Sequence, residues 1–210
     1  MSHSEETRTS RWKWLFFDRL TELVFVFIGV YSAFLLNGYQ IHQEENQRRG
    51  RLLTYLLRQA DDNAARLRET TVDYDKRMNV FFDHLAKGEM PPVEPTNWAS
   101  SYNGNDIGWI LQTGALEFFD IQTVARLREV DAIARTGLAI LAHDEKLSDA
   151  LIAPHVGNRG YFYDPVTKKL RPEFSFYLDT WRDGSRFLHT MNDARDTLAK
   201  QLRVEQARHR

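Results

Sequence analysis

The chain has 210 residues, a formal net charge of −1 and no cysteine. That length allows one domain of ordinary size together with a membrane anchor. The near-zero net charge argues against nucleic acid as a partner, and the lack of cysteine excludes disulfides, thiol catalysis and cysteine-ligated metals.

One stretch is typical of a membrane span, residues 20–36, LTELVFVFIGVYSAFLL. It follows a polar tail, residues 1–14, that we expect to be flexible. The uncharged run Leu23–Leu36 is shorter than the roughly 20 apolar residues of a full span, so a buried core helix and a cleaved signal peptide are the alternatives. Because aromatic residues flank the run and no small-x-small cleavage site follows it, we predict an uncleaved transmembrane helix at residues 15–38.

One face of the predicted span carries small and polar side chains. Glu22, Gly29, Ala33 and Asn37 follow one another at spacings of 7, 4 and 4 residues, which places them on one side of a helix. Gly29 and Ala33 form a small-xxx-small pair, which lets two helices approach closely. We predict that this face packs against another helix. The alternatives are incidental small residues beside a Glu22 that reaches the interface, and an ion pathway through Glu22.

Basic residues near the span indicate its orientation. Arg8, Arg11, Lys13 and Arg19 precede the apolar stretch of residues 20–36, whereas the first cluster on the other side begins at Arg48. Lys and Arg favour the cytoplasmic side of a membrane. We therefore expect the N-terminus in the cytoplasm and the C-terminal domain outside it.

The predicted helix continues through a polar stalk, residues 39–51, into a helical-bundle domain, residues 52–210. Its apolar seam follows heptad spacing until Lys87-Gly88 and Pro91-Pro92, where we expect the helix to end. The seam consists of Leu53, Leu57, Ala60, Ala64, Leu67, Thr71, Tyr74, Met78, Phe81 and Leu85. It could pack within one chain or between chains, and further apolar residues beside it favour a bundle within one chain.

The rest of the chain predicts two more long helices. A linker at residues 88–106, rich in Pro, Asn and Ser, precedes a short apolar helix at residues 107–119. Asp120 suits the N-cap of a helix over residues 121–151, and the helical period returns over residues 173–207. We predict an all-α fold, in which the transmembrane helix continues into a long helix of an antiparallel helical bundle.

Residues 154–172 interrupt the helical pattern after Pro154. Tyr161-Phe162-Tyr163 before Asp164-Pro165 predicts a turn or a short hairpin. Because long ordered loops often carry function, we consider Arg159, Tyr161 and Tyr163 a candidate surface loop. The alternative is that these aromatic side chains only cover the end of the bundle.

The sequence contains no residue pattern typical of catalysis. Di-iron bundles use a Glu-x-x-His motif, and no histidine in this sequence has a Glu three positions before it. The HExxH, phosphate-loop and GxSxG motifs do not occur either. His143-Asp144-Glu145 could hold a metal, but a solvated helix end is the simpler interpretation. We predict no catalytic residues, no metal and no cofactor.

Three segments resemble an uncharacterised bacterial family: FVFIGVYSAFLLN, ENQRRGRLLTYLLRQADDN and GWILQTGALEFFD. Members of that family have one N-terminal span with an Ile-Gly-Val core and a helical extramembrane domain. The resemblance implies a bacterial origin and this single-span architecture. Together with the orientation that the basic residues indicate, we expect an inner-membrane protein with a periplasmic C-terminal domain. The resemblance implies no activity and no site residues.

Two functions of different classes fit these features. The first is a membrane-anchored interaction or scaffold protein that self-assembles as a homo-oligomer or docks on another membrane protein within the lipid bilayer. The alternative is a membrane-tethered sensor that binds a small ligand in the bundle. A pocket lined by Tyr161, Tyr163 and arginines would favour the sensor, and a flat apolar patch would favour the interaction protein.

Overall fold

A computed structural model describes the backbone of residues 6–98 and 107–208, and the side chains in these ranges except those of residues 6–21 and Trp109. Its α-helices are α1 (Glu6–Ala86), α2 (Gly108–Gln112), α3 (Ile121–Leu151), α4 (Arg159–Phe162) and α5 (Phe176–Arg208). Short 3-10 helices occupy Gly114–Phe118, Ala153–His155 and Pro172–Phe174. The predicted all-α class is confirmed.

The chain divides into two compact units, Met1–Arg49 and Gly50–Arg210. In the first unit, α1 begins at Glu6, inside the tail that we expected to be flexible, and residues 1–5 of that tail lie outside the described residues. Among the described residues, α1 carries one window, near the N-terminus, that is long and apolar enough to cross a membrane. None of that window is buried, so α1 is a candidate membrane span.

The C-terminal end of α1 lies in the second unit, where the sequence predicted it. Gly88 follows the helix with a φ of +72°, a conformation that costs glycine little because it has no Cβ. The N–H of Gly88 donates to the carbonyl of Leu85 at 3.0 Å, and that of Glu89 donates to the carbonyl of His84 at 2.9 Å. This is a Schellman motif, which satisfies the last carbonyls of the helix.

In the second unit, α5 runs antiparallel to α1. The side-chain amide of Gln206 donates to Thr54 Oγ1 at 3.1 Å, and that of Asn192 donates to Thr71 Oγ1 at 2.8 Å. Residue numbers therefore rise along α1 as they fall along α5. The predicted antiparallel packing is confirmed for this pair of helices.

Helix α3 also runs antiparallel to α5. At one end of the pair, the N–H of Asp120 donates to Glu205 Oε1 at 2.9 Å, and further along the ring of Phe187 lies against Gly137. Since α1 and α3 are both antiparallel to α5, they are parallel to each other. The connection from Ala86 to Asp120 therefore joins opposite ends of the bundle.

The heptad seam of α1 faces the interior of this bundle. Every predicted seam position from Leu53 to Leu85 is buried or half-buried. Most seam residues from Leu53 to Met78 belong to one core with Leu127, Val130 and Ala134 of α3 and with Leu188, Met191 and Leu198 of α5. Phe81 and Leu85 pack in a second core, with Ile152, Phe162 and Tyr163. A single chain thus satisfies the seam, as its extra apolar residues suggested.

Asp120 stands at the N-cap of α3 as predicted, but its side chain makes no capping hydrogen bond. Its carboxylate instead accepts from Arg208 Nη1 at 3.3 Å. The carboxyl group beside the start of α3 is that of Glu205, which is 0% exposed and accepts the N–H of Asp120. A carboxylate there interacts favourably with the positive end of the helix dipole.

The region of residues 154–172 contains the predicted turn, although short helices precede it. Asp164 Oδ1 accepts the N–H groups of Thr167 at 2.7 Å and Val166 at 2.9 Å. These hydrogen bonds, that from Thr167 above all, hold the pKa of Asp164 below its usual range. Tyr163 and Leu170 then pair in an isolated antiparallel bridge. Of the short hairpin that the sequence offered as an alternative, this single residue pair is formed.

Gly184 of α5 allows a close approach to α1. A Cβ at this position would overlap the side chain of Tyr74, whose hydroxyl donates to the carbonyl of Trp181 at 3.0 Å. We expect Gly184→Ala to displace the ring and to lower the free energy of unfolding by about 1–3 kcal/mol. Denaturant unfolding followed by circular dichroism measures the change.

Gly50→Ala is the matched control for this prediction. Gly50 also lies within a helix, but a Cβ there would meet open space. Alanine should therefore raise the free energy of unfolding by up to about 1 kcal/mol through its better helix propensity. A Gly184→Ala protein as stable as the unmodified chain would contradict the proposed contact with Tyr74.

Candidate functional site

A cavity of about 490 Å³ lies in the second unit. Small-molecule sites in proteins have volumes of about 300–1,000 Å³ and are mostly apolar with a few polar groups. The apolar part of the wall consists of Leu67, Tyr74, Trp98, Leu141, Phe187 and Leu188. The polar part consists of Asn63, Arg66, Thr70, Arg77, Asn97 and Arg195.

The aromatic wall of this cavity is held by ring contacts. The centroids of Tyr74 and Trp98 are 4.8 Å apart in an edge-to-face arrangement, and Trp98 makes the same kind of contact with Trp181 at 4.8 Å. Burial raises the pKa of Tyr74 far above its usual value, so its hydroxyl stays neutral at physiological pH. Edge-to-face pairs of this kind add about 0.5–1.5 kcal/mol each beyond area burial, which makes the wall well ordered.

The polar part of the wall is cationic. Arg195 is only 5% exposed, whereas Arg66 and Arg77 lie at the exposed edge. Arg77 Nη2 forms an ion pair with Asp73 Oδ2 at 2.8 Å, on the same helix. Among the described residues that line the cavity, none is Asp or Glu. Three arginines thus line one cavity, two of them at its exposed edge.

The sequence carries a signal for the burial of Arg195. This residue stands between Met191 and Leu198, at the spacings of 4 and 3 that place a residue on the apolar stripe of α5. Because the apolar stripe of a helix faces the core, a cation on this stripe is buried rather than exposed to solvent. Trp98 and Arg66 carry no comparable signal. Trp98 lies in the linker and Arg66 on the exposed surface of α1, and in neither place does the local sequence specify which residues the side chain contacts.

A second depression, of about 480 Å³, lies on the outer face of α3 and α5. Its lining is mostly apolar and includes Ile133, Ile140 and Phe187, with Asp183 and Arg186 at its edge. Its apolar lining resembles the flat apolar patch on the bundle that would favour an interaction protein.

The candidate loop is arranged differently from our prediction. Tyr163 is 0% exposed and its hydroxyl donates to the carbonyl of Pro91 at 2.9 Å, so its assignment to the surface was wrong. The reason is tertiary, because the segment after α1 covers the ring. Arg159 and Tyr161 remain exposed, and Tyr161 stacks on His155 with ring centroids 3.6 Å apart. The loop does not contribute to the arginine-lined cavity.

The helix-packing residues of the predicted span lie in the first unit. Glu22, Gly29, Ala33 and Asn37 are all exposed, and a Cβ on Gly29 would meet open space. This exposure leaves room for another helix at the small-residue face. Packing of this face against a partner stays a prediction.

No group of three or more metal-binding side chains forms within the described ranges. His143, Asp144 and Glu145 are consecutive residues of α3, and the structure does not assemble them into a ligand set with one another.

Comparisons with models of known protein families, with curated proteins and with solved structures give no match. The resemblance to an uncharacterised bacterial family therefore stays an expectation.

The carboxyl group of Asp144 is partly buried between α3 and α5. Burial raises its pKa above the ordinary value, Asp183 raises it further, and the Thr180 hydroxyl partly offsets the shift. Because the folded-state pKa is raised, its contribution to stability is fully present below the unfolded value, about 3.9, and is lost as pH rises through the folded value.

We therefore expect Asp144→Asn to be more stable than the unmodified chain at neutral pH. The difference should disappear near pH 3, about one unit below the ordinary pKa of aspartate, where Asp144 is protonated in both states. Thermal unfolding over this pH range measures it. Asp149→Asn, an exposed position on the same helix, should change stability little. A constant difference at every pH would contradict the prediction.

Proposed function

We propose that the chain is a membrane-anchored helical interaction protein, which self-assembles or docks on another membrane protein through its N-terminal helix. The observation that carries the proposal is that the apolar residues from Leu23 to Leu36 are all exposed within the chain. A continuous apolar surface of this kind needs lipid or protein to cover it.

The small-residue face supports helix packing as well as anchoring. Lipid tails are as apolar as leucine side chains, so helices associate in membranes through close packing rather than through the hydrophobic effect. Gly29 and Ala33 remove side-chain bulk on one side of α1, and both are exposed in the single chain. A second copy of the chain is the simplest partner, since it presents the same face.

The test replaces Gly29 by leucine. Gly29→Leu should keep the chain in carbonate-washed membranes, because leucine is the more apolar residue. It should also hold two helices apart and reduce crosslinked association in native membranes by roughly fivefold, the effect of about 1 kcal/mol of lost packing.

Val24→Leu is the matched control, because Val24 lies on another side of α1 and its substitution adds bulk away from the small-residue face. It should associate as the unmodified chain does. Equal association of all three proteins would refute packing through Gly29. Release of the unmodified chain by the carbonate wash would refute the membrane anchor itself.

The proposal places the protein in a bacterial inner membrane with a single span, the N-terminus in the cytoplasm and the bundle in the periplasm. The cluster of Arg8, Arg11, Lys13 and Arg19 before the span supports this orientation. A reporter that is active only outside the cytoplasm, fused after Arg210, should be active. A reporter that works only in the cytoplasm is the control at the same position, and its activity would reverse the orientation.

A second function, a membrane-tethered sensor that binds a small ligand in the bundle, is favoured by one observation. The cavity at Tyr74, Trp98 and Arg195 has the volume and the mixed lining of a small-molecule site. Neither function requires catalysis.

A further inference from the structure

We propose that the cationic excursion, residues 154–172, binds the surface of an anionic lipid bilayer. Its cations would lie on the phosphate groups of the lipids, and its apolar tip would reach the acyl chains. The inference goes beyond anchoring and helix association through α1. It also gives a role to Arg159 and Tyr161, the exposed residues of the loop that the sequence singled out.

The excursion is cationic in a nearly neutral chain. Residues 154–172 contain two lysines, two arginines and one aspartate, whereas the whole chain has a net charge of −1. Arg159, Lys168 and Lys169 are exposed, and none of them forms an ion pair within the described part of the chain. The one aspartate, Asp164, accepts N–H groups of its own turn. The surface is therefore complementary to an anionic partner.

Hydrogen bonds within the excursion hold its cations together. The N–H of Lys168 donates to the carbonyl of Asp164, and the N–H of Asp164 donates to the carbonyl of Lys169, both at 2.9 Å. The guanidinium of Arg171 donates to the carbonyl of Gly160 at 3.1 Å, which ties the segment after the turn to the segment before it. Because this backbone is already ordered, binding costs little conformational entropy.

Lys168 has a backbone conformation that disfavours lysine. Its φ is +59°, in the left-handed region that glycine and asparagine adopt most readily. Residues held in this region are common at binding sites, which supports a role for this cation in recognition.

Exposed apolar side chains lie among these cations. Val166, in the turn, is 86% exposed, and Val156 is 55% exposed. Surfaces that combine cations with exposed apolar residues suit anionic bilayers, because phosphate groups attract the cations and the acyl region takes up the apolar atoms. The exposed valines favour a bilayer over an acidic polypeptide, since the latter would need only the cations.

The test holds the full chain in nanodiscs of phosphatidylcholine and adds sucrose-loaded vesicles. Vesicles of phosphatidylglycerol and phosphatidylcholine in equal amounts should sediment the protein, and vesicles of phosphatidylcholine alone should not. Added salt should weaken the binding, because mobile ions screen exposed charges.

Two double variants with the same loss of charge test the location of the surface. Lys168→Asn with Lys169→Gln should weaken binding to the anionic vesicles by roughly 25-fold, since each cation contributes about fivefold. Asparagine tolerates the left-handed conformation, so the turn is kept. Lys76→Gln with Lys200→Gln is the matched control, because both lysines are exposed but lie outside the excursion. It should bind as the unmodified chain does.

A third variant tests the apolar contact. Val166→Ser should weaken binding to the anionic vesicles by about threefold to tenfold, because the apolar side chain is lost. Val72→Ser is the matched control, since Val72 is 70% exposed on α1. Circular dichroism confirms that each variant keeps its helices.

Several results would overturn the proposal. They are equal sedimentation by the two kinds of vesicle, equal binding by the two double variants, and equal binding by Val166→Ser and Val72→Ser. Binding to polyglutamate without binding to the anionic vesicles would assign the surface to an acidic polypeptide instead. The carbonate wash and the crosslinking of Gly29→Leu are measured separately, so failure here is distinguishable from failure of the anchor or of self-association.

Discussion

The hydroxyl of Tyr74 crosses from α1 to α5 and donates to the backbone carbonyl of Trp181, 3.0 Å away. A buried hydroxyl left without a partner costs about 1–3 kcal/mol, so this bond fixes how deeply the ring is inserted. Gly184 leaves the space that the ring occupies, and Trp98 and Trp181 pack against its edge and face. The distance between α1 and α5, the aromatic wall and the cavity all depend on this one side chain.

Polar contacts between the same two helices fix their register. Asp75 of α1 accepts from Ser185 Oγ at 2.7 Å and from His189 Nε2 at 2.8 Å. One turn away, Asn192 donates to Thr71 at 2.8 Å. An apolar seam tolerates sliding by a whole heptad, whereas these partly buried polar groups meet their partners in one register only. The position of the cavity along the bundle follows from this register.

Helix α1 meets opposite demands in the two units. From Leu23 to Leu36 its apolar side chains are exposed on every side, as a surrounding of lipid requires. From Leu53 to Leu85 its buried apolar residues occupy one stripe, which packs on α3 and α5 and, at its C-terminal end, on Ile152, Phe162 and Tyr163. The proposed functions divide in the same way, since helix association uses the first segment and ligand binding uses the second.

The sequence alone determined the three long helices, the end of α1 and the start of α3. The heptad seam, the stop at Gly88 and the start of α3 after Asp120 were all readable, because periodicity and helix termini depend on residues within about one turn of each other. The burial of Arg195 is also readable from the sequence, since a cation on an apolar stripe is visible in one helix. The tertiary structure alone decided that Tyr163 is buried and that Glu205 lies against the start of α3.

The same division holds for the candidate site. Tyr74 was predicted to be a seam residue, but its meeting with Trp98 and Arg195 brings together three segments far apart in the chain. No local pattern encodes such a meeting, because it depends on how the helices cross and on where a glycine lets them approach. The sequence therefore specified which faces must be buried, and only the packing of those faces decided which cationic and aromatic groups share one cavity.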